Sequence, residues 1–108
     1  MTAEAFRQQL AAISAEYRSG LPAKLAELDA LWKELASGAG EPGRMGDLLR
    51  ALHSMAGSAK TFGVSGVSEA AAAAESFLEP FSKRRKMPKG ARQVAFTRLL
   101  DDLKRAAR

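Results

Sequence analysis

Apolar residues recur at steps of three and four positions in every segment of this 108-residue chain. That spacing gathers side chains on one face of an α-helix, and neither the alternation nor the β-branched enrichment of strands occurs. The stripe of the first segment, residues 3–18, consists of Phe6, Leu10, Ile13 and Tyr17. A second stripe runs from Leu21 to about Ala36. Because Gly20 and Pro22 interrupt between them, the segments form either two helices or one long kinked helix.

Three further helices are predicted after a turn with the sequence SGAGEPG, at about residues 44–62, 66–78 and 90–106. Gly63 is the expected left-handed cap of the first, and Ser65 is the candidate N-cap of the second. The last helix is expected to bury Val94, Phe96, Leu99, Leu100 and Leu103. Because short connections favour antiparallel neighbours, we predict an all-α fold: an up-and-down antiparallel four-helix bundle with an extra or kinked N-terminal helix. At this length, residues 1–108 form one domain.

Composition excludes several classes of function. The chain has no cysteine, so disulfides, thiolate metal sites and cysteine nucleophiles are excluded. With a single histidine and no dense carboxylate cluster, no metal site is expected. Glycine-rich phosphate loops and serine nucleophile motifs are also missing. The chain has no apolar run of about 18 residues and no signal-peptide pattern at its start, so we expect a cytoplasmic protein without membrane association.

Positive charge is concentrated at the C-terminal end. Residues 82–108 carry ten Lys/Arg and two Asp, a net charge of +8, whereas residues 1–81 have a net charge of −3. The densest part is SKRRKMPK, Ser82–Lys89. Such a run either forms a solvated surface or attracts nucleic acid, an anionic membrane or an acidic protein.

The only histidine, His53, lies at the margin of an apolar stripe. That stripe consists of Leu48, Leu52, Met55, Ala59 and Phe62. His53 is one residue beyond Leu52 and thus about 100° around the helix axis. Its neighbours on the same face are Leu49, Arg50, Ala56, Gly57 and Lys60. Gly57 costs the helix about 1 kcal/mol relative to alanine and leaves open space beside the imidazole. A boundary histidine and a packing glycine explain this spacing at least as well as a functional imidazole does.

The stretch HSMAGSAKTFG, residues 53–63, resembles the signature of histidine phosphotransfer (HPt) domains, the phosphorelay modules of two-component signalling. In that pattern Gly-Ser follows the histidine and another glycine stands ten positions after it, where this chain has Gly57, Ser58 and Gly63. The segment LPAKLAELDALWKEL, the alanine-rich helix after Gly63 and the overall length are also similar to the family. The resemblance therefore covers essentially the whole chain.

The resemblance implies a phosphoryl carrier without kinase activity of its own. His53 would accept a phosphoryl group on Nε2 from a receiver-domain aspartate and relay it to another receiver. The expected partners are response-regulator receiver domains and a hybrid histidine kinase; Mg²⁺ is expected on the receiver, and no cofactor on this chain. Lys60 is the candidate for phosphoryl stabilisation, and the candidate docking residues are Leu49, Arg50, Ala56 and Gly57. Glu69 or Glu75 could approach the other ring nitrogen, although a solvated helix surface is the favoured interpretation of both.

One departure from the family pattern is Ala56, since many members carry a lysine three residues after the histidine. Two alternatives therefore stay open beside phosphotransfer. One is a degenerate HPt-like module that docks or inhibits without carrying phosphate. The other is a basic helical nucleic-acid-binding protein, which the +8 charge favours and the lack of a recognisable recognition helix opposes.

Overall fold

The computed structural model describes residues 2–38, 40 and 43–108, and that part of the chain forms four α-helices and no strand. The helices are α1 (Ala3–Ser37), α2 (Arg44–Thr61), α3 (Ser65–Lys83) and α4 (Ala91–Ala106). Consecutive helices run antiparallel, which confirms the predicted up-and-down bundle. None of the described helices is long and apolar enough to cross a membrane.

The N-terminal segments form one continuous helix of 35 residues, so Gly20 and Pro22 do not divide it. The Thr2 hydroxyl accepts the Ala5 amide at 3.0 Å to cap its start, and Gly38 ends it with φ +79°. Pro22 is exposed, so water can solvate the carbonyl that loses its helical hydrogen bond. At a rise of about 1.5 Å per residue, α1 spans about 52 Å, close to the 53 Å long axis of the molecule.

The first part of α1 extends beyond the rest of the bundle. Its apolar stripe is mostly uncovered, because Phe6, Leu10 and Ile13 are 54%, 48% and 44% exposed. Tyr17 is the first buried member of the stripe. Its ring stacks on Phe62, just past the end of α2, with ring centres 5.0 Å apart. Residues 6–13 thus lie past the end of the helix that would cover them; we call them the α1 extension.

The core lies between the four helices at apolar positions of all of them. Its buried members are Tyr17, Leu21, Leu28, Trp32, Leu48, Leu52, Met55, Ala59, Val64, Val67, Ala71, Ala74, Leu78, Phe96, Leu100 and Leu103. The four buried residues of α2 confirm the stripe predicted beside His53, and Phe62 is partly buried. In α4, Phe96 is buried but Val94 is 54% exposed, contrary to expectation. Two residues along a helix correspond to about 200°, so Val94 faces away from the core.

The turn between α2 and α3 fixes how these helices lie against each other. Gly63 has φ +77°, and its amide donates to the Lys60 carbonyl at 3.2 Å, while the Val64 amide donates to Ala59 at 2.7 Å. This is the predicted left-handed cap. The predicted N-cap is wrong: Val64 occupies that position, and Ser65 is already the first helical residue.

The α3 helix also continues five residues past its predicted end at Leu78, to Lys83. Pro80 lies inside it without ending it. Both Pro80 and Ser76, whose carbonyl loses its helical partner, are exposed to water, so the missing hydrogen bond is replaced by solvent. The basic run therefore begins on the last turn of α3 and not in a loop after Leu78.

Candidate functional site

His53 projects from the middle of α2 into solvent. Its side chain is 79% exposed, whereas the adjacent Leu52 is fully buried. The 100° step between consecutive helical residues separates the two environments. The predicted position of His53 at the margin of the apolar stripe is thus observed, on the accessible side of that margin.

The imidazole of His53 is oriented by Glu75 of α3. The distance between Nδ1 and Oε2 is 2.9 Å, and the Glu75 side chain is only 18% exposed. An ionised carboxylate can only accept, so Nδ1 carries the hydrogen and a neutral ring has its lone pair on Nε2. The geometry therefore presents Nε2 to solvent as the free nitrogen.

The interpretation of Glu75 as an ordinary solvated residue is wrong, whereas Glu69 is exposed. A signal for Glu75 is present in the sequence. His53 precedes Val64 by eleven residues, and Glu75 follows Val64 by eleven. In an antiparallel hairpin that turns at Val64, such equidistant residues lie side by side.

Gly57 leaves the space beside the imidazole open. It lies one turn after His53 on the same face, and a Cβ atom built on it would meet no atom within 4 Å. No helix neighbour packs against this glycine, so helix–helix packing does not account for it. Because Gly57 has no side chain, another molecule can approach His53 from solvent on this side.

The sequence model of the Hpt domain matches residues 3–108, essentially the whole chain. The chain belongs to the Hpt domain family. Hpt domains are phosphocarrier modules of two-component phosphorelays, and they interact with receiver domains. The match confirms the resemblance drawn from residues 53–63. No curated protein and no solved structure matches the chain significantly.

Ser58 of the Hpt signature supports the bundle and does not face His53. Its hydroxyl lies 2.8 Å from the Tyr17 hydroxyl of α1. Nearby, the Ser14 hydroxyl donates to the Phe62 carbonyl at 2.7 Å. These two hydrogen bonds hold the end of α2 against α1 and so fix the helix that carries the histidine.

Ala56 occupies the position where many Hpt domains carry lysine, and here it faces α3. Its side chain is partly buried against the core, and its carbonyl accepts the Ser68 hydroxyl at 2.6 Å. This contact joins α2 to α3 about one turn along α2, and about two turns along α3, from the Glu75–His53 hydrogen bond. The two contacts together fix the α2–α3 register around the imidazole.

The other predicted site residues share the His53 face of this Hpt domain. Leu49 is half-buried against the core, and Arg50 is exposed and pairs with Asp47. Lys60 is exposed in the last turn of α2, about 10.5 Å along the axis from His53 at 1.5 Å per residue. Among the described residues, no group of three or more His, Cys, Asp or Glu side chains is placed to hold a metal ion.

Proposed function

We propose that this Hpt domain carries a phosphoryl group on His53, accepting it from the aspartate of one receiver domain and giving it to another. The observation that supports this most directly is the exposed imidazole whose Nδ1 is held by Glu75 at 2.9 Å, with Nε2 facing solvent. A tautomer fixed in this way keeps the nucleophilic lone pair on the accessible nitrogen.

The transfer step follows from this arrangement. The Nε2 lone pair attacks the phosphorus of the receiver's aspartyl phosphate in line with the bond to the aspartate oxygen. As the N–P bond forms, the P–O bond breaks and the aspartate leaves as a carboxylate with the electron pair. The ring becomes more positive while Nδ1 keeps its hydrogen, and the Glu75 carboxylate stabilises that charge. The reverse sequence on a second receiver regenerates the neutral imidazole.

The chain would contribute the nucleophile and a docking surface, and the receiver would bring the aspartate and Mg²⁺. Leu49, Ala56 and Gly57 provide small or apolar contacts around His53. Lys60 supplies positive charge near the incoming phosphoryl group and, with Arg50, attracts the acidic site of a receiver. A hybrid histidine kinase that carries its own receiver is the proposed source of phosphate.

Phosphoryl transfer from phosphorylated receiver domains of the same source tests this proposal. We expect at least one receiver to label the wild-type protein with an acid-labile, alkali-stable phosphate, and His53→Gln to lose the label completely. Circular dichroism of His53→Gln should match the wild type, because the side chain is exposed and outside the core. The variant loses the contact between the imidazole and Glu75, and we expect α3 to stay folded without it.

Two outcomes would contradict the proposal in different ways. If receivers bind both the wild type and His53→Gln but label neither, the chain is a docking or inhibitory module, in keeping with Ala56 in place of the family's lysine. If receivers do not bind and a DNA duplex binds with strong salt dependence, unaffected by His53→Gln, the basic C-terminal region carries a nucleic-acid function.

A further inference from the structure

A pocket of about 580 Å³ opens at the end of the bundle where α2 begins and α3 ends. Its apolar lining includes Leu35, Met45, Phe81 and Met87, and Gly46 contributes bare backbone to its wall. Arg85 and Lys86 also line it. The pocket thus combines an apolar interior with a cationic rim.

The pocket lies on the same face of the molecule as His53. Gly46 precedes His53 by seven residues, which is about two helical turns, so the two positions share one face about 10.5 Å apart along the axis. Ser82 also lines the pocket and follows Glu75 by seven residues on the antiparallel α3. Both helices therefore lead from the His53–Glu75 pair directly to the pocket.

The rim carries positive charge that the described part of the chain does not neutralise. Arg85 and Lys86 line the pocket, and Lys83, Arg84 and Lys89 are their neighbours in sequence at the end of α3; all five are exposed, and we call them the basic rim. None of them forms a salt bridge with a carboxylate of the described residues, whereas Arg44 and Arg50 pair with acids. Among the described residues, no acid competes with a carboxylate of another molecule for these side chains.

The conformation of Arg85 is a second sign that the rim is more than a solvated turn. Arg85 has φ +52°, and it is the only non-glycine residue with positive φ in the described part of the chain. It occupies the left-handed position after α3, with its amide donating to Ser82 and the Lys86 amide to Phe81. Glycine is favoured at such a position, but this chain has an arginine there, and its side chain lines the pocket.

A receiver that docks on His53 would reach this pocket. A protein interface of ordinary size covers about 800 Å² on each partner, a disc about 16 Å in radius. Centred on His53, such an interface includes Gly46 and Ser82, each about 10.5 Å along its helix, and so reaches the pocket that Arg85 and Lys86 also line. We propose that the pocket and its basic rim are a specificity subsite for receivers, which takes an apolar side chain flanked by carboxylates on the receiver's docking face. This inference rests on the proposed function and names the kind of receiver that it selects.

Binding of a receiver that labels His53, measured by calorimetry without phosphate, tests the subsite. Lys83→Glu/Lys86→Glu reverses two rim charges and should weaken binding about tenfold at low salt, with a smaller loss at high salt. Gly46→Leu places a side chain at the pocket wall and should weaken binding at every salt concentration. The first atom of the new side chain has room in the free protein, since a Cβ at Gly46 meets only the Arg50 side chain, at 3.5 Å, and circular dichroism checks that the variant is folded.

The matched control is Lys33→Glu/Arg98→Glu, which makes the same change of charge at exposed residues of α1 and α4. It should bind the receiver as the wild type does. Arg85→Gly adds an internal check, because removing the strained side chain should raise the melting temperature while binding weakens. A variant that merely unfolded the domain would lower both.

The failure of this inference differs from failure of the proposed function. If a receiver labels His53 but the rim and pocket variants bind it as the wild type does, the subsite is absent and the phosphocarrier function stands. If no receiver labels or binds the protein, both proposals fail. If the rim variants instead lose binding to a DNA duplex or to vesicles containing phosphatidylserine while receiver binding is unchanged, the rim has that other ligand and the subsite proposal is overturned.

Discussion

The two faces of α2, a helix of 18 residues, differ in how far their residues are exposed to solvent. On the inner face Leu48 and Leu52 expose no surface, whereas on the outer face His53 is 79% exposed and Gly57 has nothing beside it. The inner face contributes apolar burial, and the outer face offers an accessible nitrogen. Changes to the inner face should therefore alter stability without altering the chemistry, and changes to the outer face should do the reverse.

The largest expected effect on this comparison comes from Leu52→Ala. Truncating a fully buried leucine lowers the free energy of unfolding by about 2–5 kcal/mol, through lost transfer energy and a residual cavity. Urea unfolding followed by circular dichroism measures the loss. At low temperature, where the variant remains folded, its rate of phosphoryl acceptance should equal that of the wild type.

The neighbouring His53→Ala is the control for this experiment, since it should change stability by only about 0.5 kcal/mol. The separation of the two faces would be refuted if Leu52→Ala, measured where it is folded, accepted phosphate much more slowly than the wild type. In that case the inner face would also determine the geometry of the imidazole.

A smaller effect is expected at Glu75, which lies on α3 but acts on the outer face of α2. Glu75→Ala removes the partner of Nδ1 and should slow phosphoryl acceptance about tenfold, corresponding to about 1.4 kcal/mol for a hydrogen bond to a group that gains charge. Glu75→Gln keeps an acceptor oxygen without the charge and should recover part of the rate.

Nitrogen NMR supplies a readout that a purely structural role of Glu75 would leave unchanged. His53 is the only histidine, so its ring signals need no assignment among several residues. The tautomer with hydrogen on Nδ1 should dominate in the wild type and in the exposed-residue control Glu69→Ala, and lose its dominance in Glu75→Ala. Equal tautomer populations in all three proteins would show that Glu75 does not orient the ring.

The smallest expected effect has opposite signs for stability and activity. Gly57→Ala should raise the free energy of unfolding by about 1 kcal/mol, because alanine is the better helix former. The same methyl group lies one turn from His53 on the side that a receiver would approach, and it should slow transfer severalfold although it meets no atom of the free protein within 4 Å. Both quantities are measured on one preparation by urea unfolding and by the transfer assay.

Gly20→Ala is the matched control, since Gly20 is also helical and a Cβ there meets no atom within 4 Å. It should give the same gain in stability with an unchanged transfer rate. If Gly57→Ala transferred as fast as Gly20→Ala, the open space beside His53 would have no role in the approach of the receiver.

The sequence predicted the bundle because the apolar spacing within each segment indicates a helix without reference to the other segments. The stripe of α2 and the Gly63 cap both follow from local patterns, and both are observed. Periodicity did not predict burial where burial depends on a neighbouring helix. Phe6, Leu10 and Tyr17 share one spacing, but only Tyr17 has Phe62 to pack against.

The candidate site divides in the same way. The position of His53 at the margin of the apolar stripe follows from its own helix, and the sequence predicted it. For Gly57 the sequence left helix packing and open space as alternatives, and the structure has open space there. The role of Glu75 and the place of the pocket depend on the antiparallel register of α2 and α3, which no single segment specifies. Proline had the least predictable effect: Pro22 and Pro80 are both accommodated on exposed helix surfaces, where water replaces the missing hydrogen bond.

The α1 extension has a consequence for how the protein unfolds. Its residues have helical hydrogen bonds but little tertiary burial, and a helix of this length is marginal in water by itself. These hydrogen bonds can open without disturbing the core, whereas those of the buried part of α1 open only when the bundle does. The helix is therefore geometrically continuous, but its two parts unfold as separate cooperative units. The boundary between its two parts lies near Ser14, where tertiary contact begins, and not at Pro22.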